Sequence, residues 1–331
     1  MVLPRIVSIV GPTAAGKTAL GLRLAKTFDG EVINSDSRQI YQVFDIGTGK
    51  PPGHRGVKNG HRAYLVEGVP HYLMDFLDPL KTFTVPEWRD AALKAIKGIT
   101  KRGHLPLVVG GTGLYVQSLI DNFKFPQIAP NPTFRAALET KPLADLVKLL
   151  VKLDPAAVQA VDLKNPRRVI RALEVITFTG QPFTAQKIHG KPLVDALQIG
   201  IDHPREELYR RNDATVTQMI KDGWADEIAK ILKRKIPETA PAMTSIGYRE
   251  LLKAIKGEMS MQCAIEETKR AVRHYAKRQL TWFRKDKRIH WVKDEDEAVQ
   301  LVTQFLFSRS LRSSRDWRGL PSPSSRRRRT I

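Results

Sequence analysis

Residues 11–18 read Gly-Pro-Thr-Ala-Ala-Gly-Lys-Thr. They follow an apolar run, Ile6-Val7-Ser8-Ile9-Val10, and precede a helical pattern from Ala19 to Phe28. Strand, glycine-spaced loop and helix in that order fit the P-loop template G-x-x-x-x-G-K-[ST] in the context it requires. Gly11, Pro12, Thr13, Ala14, Ala15 and Gly16 form a loop whose successive N–H groups can converge on one anion. The helix behind it adds free N–H groups and its positive dipole end. Lys17 brings a point charge to the outer phosphates, and Thr18 offers a hydroxyl to Mg²⁺. The loop therefore specifies a held phosphate or pyrophosphate and leaves open what is done to it.

Just downstream, Val32-Ile33 reads as a short buried strand that ends in Asn34-Ser35-Asp36-Ser37-Arg38-Gln39. The C-terminal edge of a parallel sheet is where ligands bind. Asp36 is thus a candidate base or metal contact beside the phosphate site, and equally a cap for a following helix. Thr84 with Pro86 and Glu87 marks a helix start, running to about Thr100. Leu105 to Val109 is a further strand, and it runs into Gly110-Gly111-Thr112-Gly113. A Walker-B strand would end in an acidic residue that holds Mg²⁺. Its absence argues against nucleotide hydrolysis. The glycines favour close approach of backbone to a ligand, or simply a tight strand-to-helix turn.

Residues 123–195 are punctuated by prolines and then carry helical periodicity, which predicts a helical insertion into the α/β core. Asn165-Pro166 opens one of these helices. Its apolar face carries Val169, Ile170, Leu173 and Ile176, and the opposite face Arg167, Arg168 and Arg171. Three arginines without acidic residues among them read as a solvated face or as phosphate contacts. Residues 196–307 return to the core. There, Ile265, Val272, Ala276 and Phe283 form a narrow buried seam on a long helix, flanked by a stripe of Arg270, Arg273, Lys277 and Arg284. Such a stripe can track a phosphate backbone. Tyr275, Trp282 and Trp291 are available for core packing or for base stacking.

The formal charge is +21, from 55 Lys+Arg against 34 Asp+Glu, which points to a polyanionic partner such as nucleic acid. Part of the excess lies in the Ser/Arg/Pro-rich residues 308–331, which lack apolar periodicity and are expected to be disordered. Cys263 is the only cysteine, which excludes an intramolecular disulfide and a cysteine-based metal cluster and suits a reducing compartment. The N-terminal apolar run is too short for a signal peptide, and no apolar stretch is long enough to span a membrane. A cytoplasmic, monomeric protein with no membrane contact is expected. The fold class these signals imply is α/β: a P-loop NTPase-like parallel sheet core, in two parts (1–122 and 196–307), around the insertion.

Taken together, the segments resemble the tRNA dimethylallyltransferase (isopentenyltransferase) family. The resemblance is carried by GPTAAGKT at 11–18, INSDSRQIYQVFDIGTGKP at 33–51, VPHYLMD at 69–75, LVVGGTGLY at 107–115, NPRRVIRALEV at 165–175, SIGYRE at 245–250 and YAKRQLTWFR at 275–284. It implies transfer of a dimethylallyl group to the exocyclic amine of the adenosine 3′-adjacent to the anticodon, in tRNAs reading codons that begin with U. By that resemblance the P-loop, with Lys17 and Mg²⁺ on Thr18, holds the pyrophosphate of dimethylallyl diphosphate. Asp36 matches the general base. Asp36, Ser37, Arg38, Gln39 and Thr112 contact the RNA segment carrying the target. Arg167, Arg168, Arg171, Arg249, Lys277, Arg278, Gln279 and Arg284 hold the tRNA anticodon stem-loop, and the insertion is the family's tRNA-clasping domain.

Three positions depart from the family pattern: His71-Tyr72 stands for the frequent His-His, Ala14-Ala15 for Ala-Ser, and Thr215 for a second arginine after Arg211. Two rival readings use the same loop. A P-loop kinase of a small metabolite accounts for the sheet but not for the missing Walker-B acid or the basic stripes. A non-catalytic RNA binder accounts for the charge but leaves Asp36 beside an intact Lys17-Thr18 unexplained.

Overall fold

The structure, a computed structural model, describes residues 3–307 apart from Phe125, Gln127 and Lys187; the tail expected to be disordered, 308–331, lies outside the described residues. The chain builds an eight-stranded sheet from β1 (Arg5–Val10), β2 (Gly30–Asn34), β3 (His54–Lys58), β4 (His61–Val66), β5 (Val69–Tyr72), β6 (Leu105–Val109), β9 (Asp195–Ile201) and β10 (Ile289–Val292). The order is β10-β9-β1-β6-β2-β5-β4-β3. The first six in that order are parallel, and β4 and β3 continue antiparallel at the edge. β1 is central, paired through Val7↔Leu107 on one side and Val7↔Leu197 on the other. Its apolar residues alternate: Ile6 and Val10 pack into one core, Val7 and Ile9 into the other. That two-sided burial explains why the strand reads as a continuous apolar run.

One face of the sheet is covered by α1 (Lys17–Thr27), through Leu20 and Leu24, and by α12 (Glu295–Phe307), through Ala298 and Val302. The other is covered by α2 (Val85–Lys101) and α3 (Gly113–Ile120). α2 starts as its sequence predicts, with a reciprocal Thr84–Glu87 capping box. A third core joins residues 40–46 to α8 (Arg205–Lys221), α9 (Trp224–Lys233), α10 (Tyr248–Ile255) and α11 (Met261–Phe283). This helical wing stands over the C-terminal ends of β1, β2 and β6 and supplies the second wall of the site.

The insertion is a separate small core of α4 (Pro132–Glu139), α5 (Leu143–Leu153), α6 (Ala157–Ala160) and α7 (Pro166–Thr179). A two-stranded ribbon of β7 (Phe123–Lys124) and β8 (Ile188–His189) closes its base, an element too short for a periodicity reading to find. β3 also escapes such a reading, because only its middle residue is even half-buried and no apolar alternation marks it.

Candidate functional site

The P-loop leaves β1 through Gly11, whose φ of 141° only glycine adopts readily, and enters α1 through Gly16 at φ 92°. Ala14 sits at φ 60°, in the left-handed region. This backbone leaves the N–H groups of Gly16, Lys17 and Thr18 without a protein acceptor among the described residues. They form the open end of α1, whose first turn carries no acidic side chain. Lys17 bends back so that Nζ donates to the Pro12 carbonyl at 2.6 Å. Burial pushes its ammonium down to about 8, against the pull of nearby Asp36, so the site favours a charge-compensating anion.

Asp36 lies beyond the end of β2, and no helix follows it. The cap alternative is therefore replaced by a turn: Asp36 Oδ1 accepts from the Arg38 N–H at 2.8 Å. The buried Asn34 builds that turn. Its Oδ1 accepts from the Asp36 N–H at 3.0 Å, and its Nδ2 donates to the Asp36 and Leu73 carbonyls at 3.1 and 2.9 Å. Trp88 Nε1 donates to the Asn34 carbonyl at 2.9 Å. Thr112 clamps the other side, accepting from the Ser37 N–H at 3.0 Å while its own N–H donates to the Ser35 carbonyl. Asn34 was invisible as a functional candidate, since nothing in its sequence position distinguishes it from any strand-end amide.

The glycines after β6 form the tight strand-to-helix turn, between Val109 and the start of α3 at Gly113. A Cβ on Gly110 would meet the Ser35 carbonyl carbon at 2.3 Å, one on Gly111 the Gln279 amide nitrogen at 2.3 Å, and one on Gly113 the Trp282 ring at 2.3 Å. Protein approaches this backbone closely on one side, and Gly110 also lines the cavity described below. Gln279, expected among the RNA contacts, is buried. It accepts from the Thr13 N–H at 2.8 Å and donates to the Gly111 carbonyl at 2.9 Å.

P-loop, Asp36 turn and helical wing enclose one cavity of about 800 Å³. Thr13, Gly16, Lys17 and Thr18 line it at one end, Asp36, Ser37, Arg38 and Gln39 along one side, and Asn212, Thr215, Met219, Trp224, Tyr275 and Arg278 opposite. Residues 47–49 contribute backbone, held from behind by Glu227. That carboxylate accepts from the N–H groups of Asp45, Ile46 and Gly47 at 2.9, 2.7 and 3.3 Å, and from the Tyr248 hydroxyl at 2.7 Å. Lys50, wholly buried at its side chain, ties the same loop to Asp45 and Asp75 at 2.6 and 2.5 Å. Gln39 donates to the Gly49 carbonyl at 2.9 Å, and Arg38 to Thr244 Oγ1 at 2.9 Å.

The basic residues divide into two groups. Arg167, Arg249 and Lys277 are exposed and have no carboxylate partner among the described residues; Arg278 is exposed with its guanidinium 5.7 Å from the Tyr275 ring centre. The others are paired. Arg171 meets the buried Glu174 at 2.6 Å, where Arg135 also binds, Arg168 lies 3.6 Å from Asp162, Arg273 meets Asp213 at 2.6 Å, and Arg284 lies 3.4 Å from Asp202. The reading of three arginines without acidic partners therefore holds for Arg167 alone, because the partners of the other two come from the next helical turn and the preceding loop. Trp291 belongs to β10 and packs on Gly200, whereas Trp282 remains 40 % exposed. The Tyr72 departure is also explained: its hydroxyl donates to Glu31 at 2.7 Å within a cluster shared with Arg102. His71 is buried, and that burial pushes its imidazole down to about 4, so it is neutral near pH 7.

These features define a P-loop α/β protein in which a glycine-framed loop with open N–H groups and a carboxylate face one cavity. Two family descriptions match, IPP transferase over residues 39–286 and isopentenyl transferase over residues 4–71. The chain belongs to the IPP transferase family. It is 39 % identical over 308 residues to the tRNA dimethylallyltransferase of Carboxydothermus hydrogenoformans, covering 91 % of this chain and 95 % of that protein. It is 41 % identical over 309 residues to that of Streptomyces coelicolor, covering 90 % and 95 %. Among solved structures it resembles the tRNA isopentenylpyrophosphate transferase of Bacillus halodurans (TM-score 0.65, 37 % identity, 92 % of this chain and 96 % of that one). It also resembles a eukaryotic dimethylallyltransferase acting on tRNA (TM-score 0.74, 27 % identity, 94 % and 81 %).

Proposed function

We propose that this chain transfers a dimethylallyl group from dimethylallyl diphosphate to the exocyclic amine of the adenosine 3′ of the anticodon in tRNA. The observation that supports this most is the shared cavity: open P-loop N–H groups and Lys17 at one end, Asp36 beside them, and a β6 terminus of glycine where a hydrolase would keep an acid. The diphosphate sits on the loop and the α1 end, with Lys17 leaving the Pro12 carbonyl to meet it. The amine nitrogen bonds to C1 of the allyl group as the C1–O bond breaks, and pyrophosphate leaves with the electron pair. Asp36 takes the amine proton, and the Asn34 and Thr112 hydrogen bonds hold its loop for that task.

Thr18 lines the cavity and fits a Mg²⁺ carried on the diphosphate. No group of three or more acidic, His or Cys side chains is present among the described residues, so Thr18 would be its protein ligand and phosphate oxygens and water its others. Bound there, Mg²⁺ supplies charge neutralisation of the leaving pyrophosphate. The target base leaves its stack to reach the cavity, while Arg167, Arg249, Lys277 and Arg278, exposed and without a carboxylate partner among the described residues, are available to the RNA backbone. No helix among the described residues is long and apolar enough to cross a membrane. A tRNA substrate and the lone Cys263 fit the cytoplasm, and a cavity complete within one chain fits a monomer.

The test is single-turnover transfer from labelled dimethylallyl diphosphate to unmodified tRNA, with Mg²⁺ and without ATP. Label in the tRNA is expected. Bound but unlabelled tRNA, with phosphate transfer from ATP to a small molecule, would establish the kinase reading instead.

A further inference from the structure

The side chain of Gln279 occupies a place that a simple RNA contact would not. It follows the exposed Lys277 and Arg278 directly on α11, yet it is itself buried, at the wall of the cavity. Its oxygen accepts from the Thr13 N–H at 2.8 Å, and its nitrogen donates to the Gly111 carbonyl at 2.9 Å. The backbone is shaped around it, since Gly111 cannot carry a Cβ without striking Nε2. Gly111 precedes Thr112, which holds the Ser37 N–H one residue from Asp36. Thr13 belongs to the loop whose other side is pinned by His203, 3.1 Å from the Ala15 carbonyl.

We infer that Gln279 is a positioning residue that fixes the diphosphate loop to the Asp36 turn through the helix that faces the RNA. With Thr13 anchored outward, the N–H groups of Gly16, Lys17 and Thr18 stay turned into the cavity. A donor and an acceptor are both required, and glutamine supplies one of each. The inference rests on the proposed use of the P-loop for a diphosphate.

Two variants test it, with inorganic pyrophosphate plus Mg²⁺ and an unmodified anticodon stem-loop RNA as separate probes in calorimetry. Gln279→Met loses both hydrogen bonds at nearly constant volume. It should bind pyrophosphate about tenfold more weakly at every pH, with RNA affinity unchanged. Gln279→Glu distinguishes positioning from packing. Its protonated acid accepts and donates as the amide does, whereas its carboxylate sets a second acceptor against the Gly111 carbonyl. Pyrophosphate affinity relative to the parent at the same pH should therefore recover as pH falls.

Weakened RNA binding with parental pyrophosphate binding in Gln279→Met would make Gln279 an RNA contact and overturn the inference. Parental pyrophosphate binding in Gln279→Met, with only Gln279→Glu weakened, would show that added charge alone acts, and would overturn it too. Should Gln279→Met fail to fold, a flat pH ratio for Gln279→Glu overturns it by itself. If the parent protein fails to bind pyrophosphate at all, the diphosphate reading falls first.

Discussion

Replacing Glu227 by glutamine probes the wall of the cavity without touching any reacting group. Glu227 is buried and receives four donors, with Oε2 taking Asp45 and Ile46 and Oε1 taking Gly47 and Tyr248. Glutamine keeps one oxygen, best placed on the Asp45 and Ile46 N–H groups, and turns its NH₂ toward Tyr248 and Gly47. The tyrosine hydroxyl can rotate to accept. Gly47 N–H then faces a donor and loses its partner. Three bonds lose a charged partner, those of Asp45, Ile46 and Tyr248, each weaker by about 1 kcal/mol, and one weak bond is lost, for about 3–4 kcal/mol in total. For a chain of this size that lowers the melting midpoint by about 4–6 °C. Loop 45–50 also seats the Gln39 side chain through the Gly49 carbonyl, so a raised KM for tRNA should accompany the thermal shift. Thermal unfolding followed by circular dichroism, with steady-state transfer on the same samples, reads both. A midpoint within about 1 °C of the parent and an unchanged KM would refute the view that this carboxylate holds the loop.

Asp36→Asn keeps an oxygen for the Arg38 N–H but removes the base; single-turnover transfer should fall about 10²- to 10⁴-fold with tRNA affinity unchanged, as measured by filter binding. Lys17 is cationic below about 8 in the free site, and the bound diphosphate favours the charged form. KM for dimethylallyl diphosphate should therefore be flat below that pH and rise by up to tenfold per unit above it, a limb that Lys17→Met abolishes. Glu174→Gln removes the carboxylate shared by Arg135 and Arg171 and should loosen the insertion by about 2–3 kcal/mol, seen as faster hydrogen exchange confined to residues 132–179. Burial alone would raise the Glu174 carboxyl, but Arg135, the Asn131 N–H and Arg171 outweigh it and hold the group at about 2, below its ordinary 4.5. Its contribution is complete above about pH 4.5 and is lost as pH falls toward 2, so acid should open the insertion of the parent but not alter the variant's.

Much of this protein is legible in its residue order because local chemistry specifies it. The P-loop needs its glycines and Lys17-Thr18 at fixed spacing, whatever surrounds them. The Thr84–Glu87 capping box and the apolar faces of α7 and α11 follow from contacts three or four residues apart. The absence of an acid after β6 is likewise a matter of one strand's end, and family resemblance carried the prediction from loop to reaction. Pairings across long stretches of chain were beyond that reach. Asn34 becomes the organiser of the Asp36 turn only when Leu73 and Trp88 are brought beside it. Arg273 and Arg284 read as phosphate contacts until α8 and the end of β9 deliver Asp213 and Asp202.

Periodicity places a side chain on a face, but whether a cation on that face is free depends on which carboxylate folding sets within about 4 Å. Gln279 shows the difference most sharply. The helix that carries it was evident from apolar spacing, yet its side chain points inward because Thr13 and Gly111, more than 160 residues away, present one N–H and one carbonyl that have no other partner among the described residues.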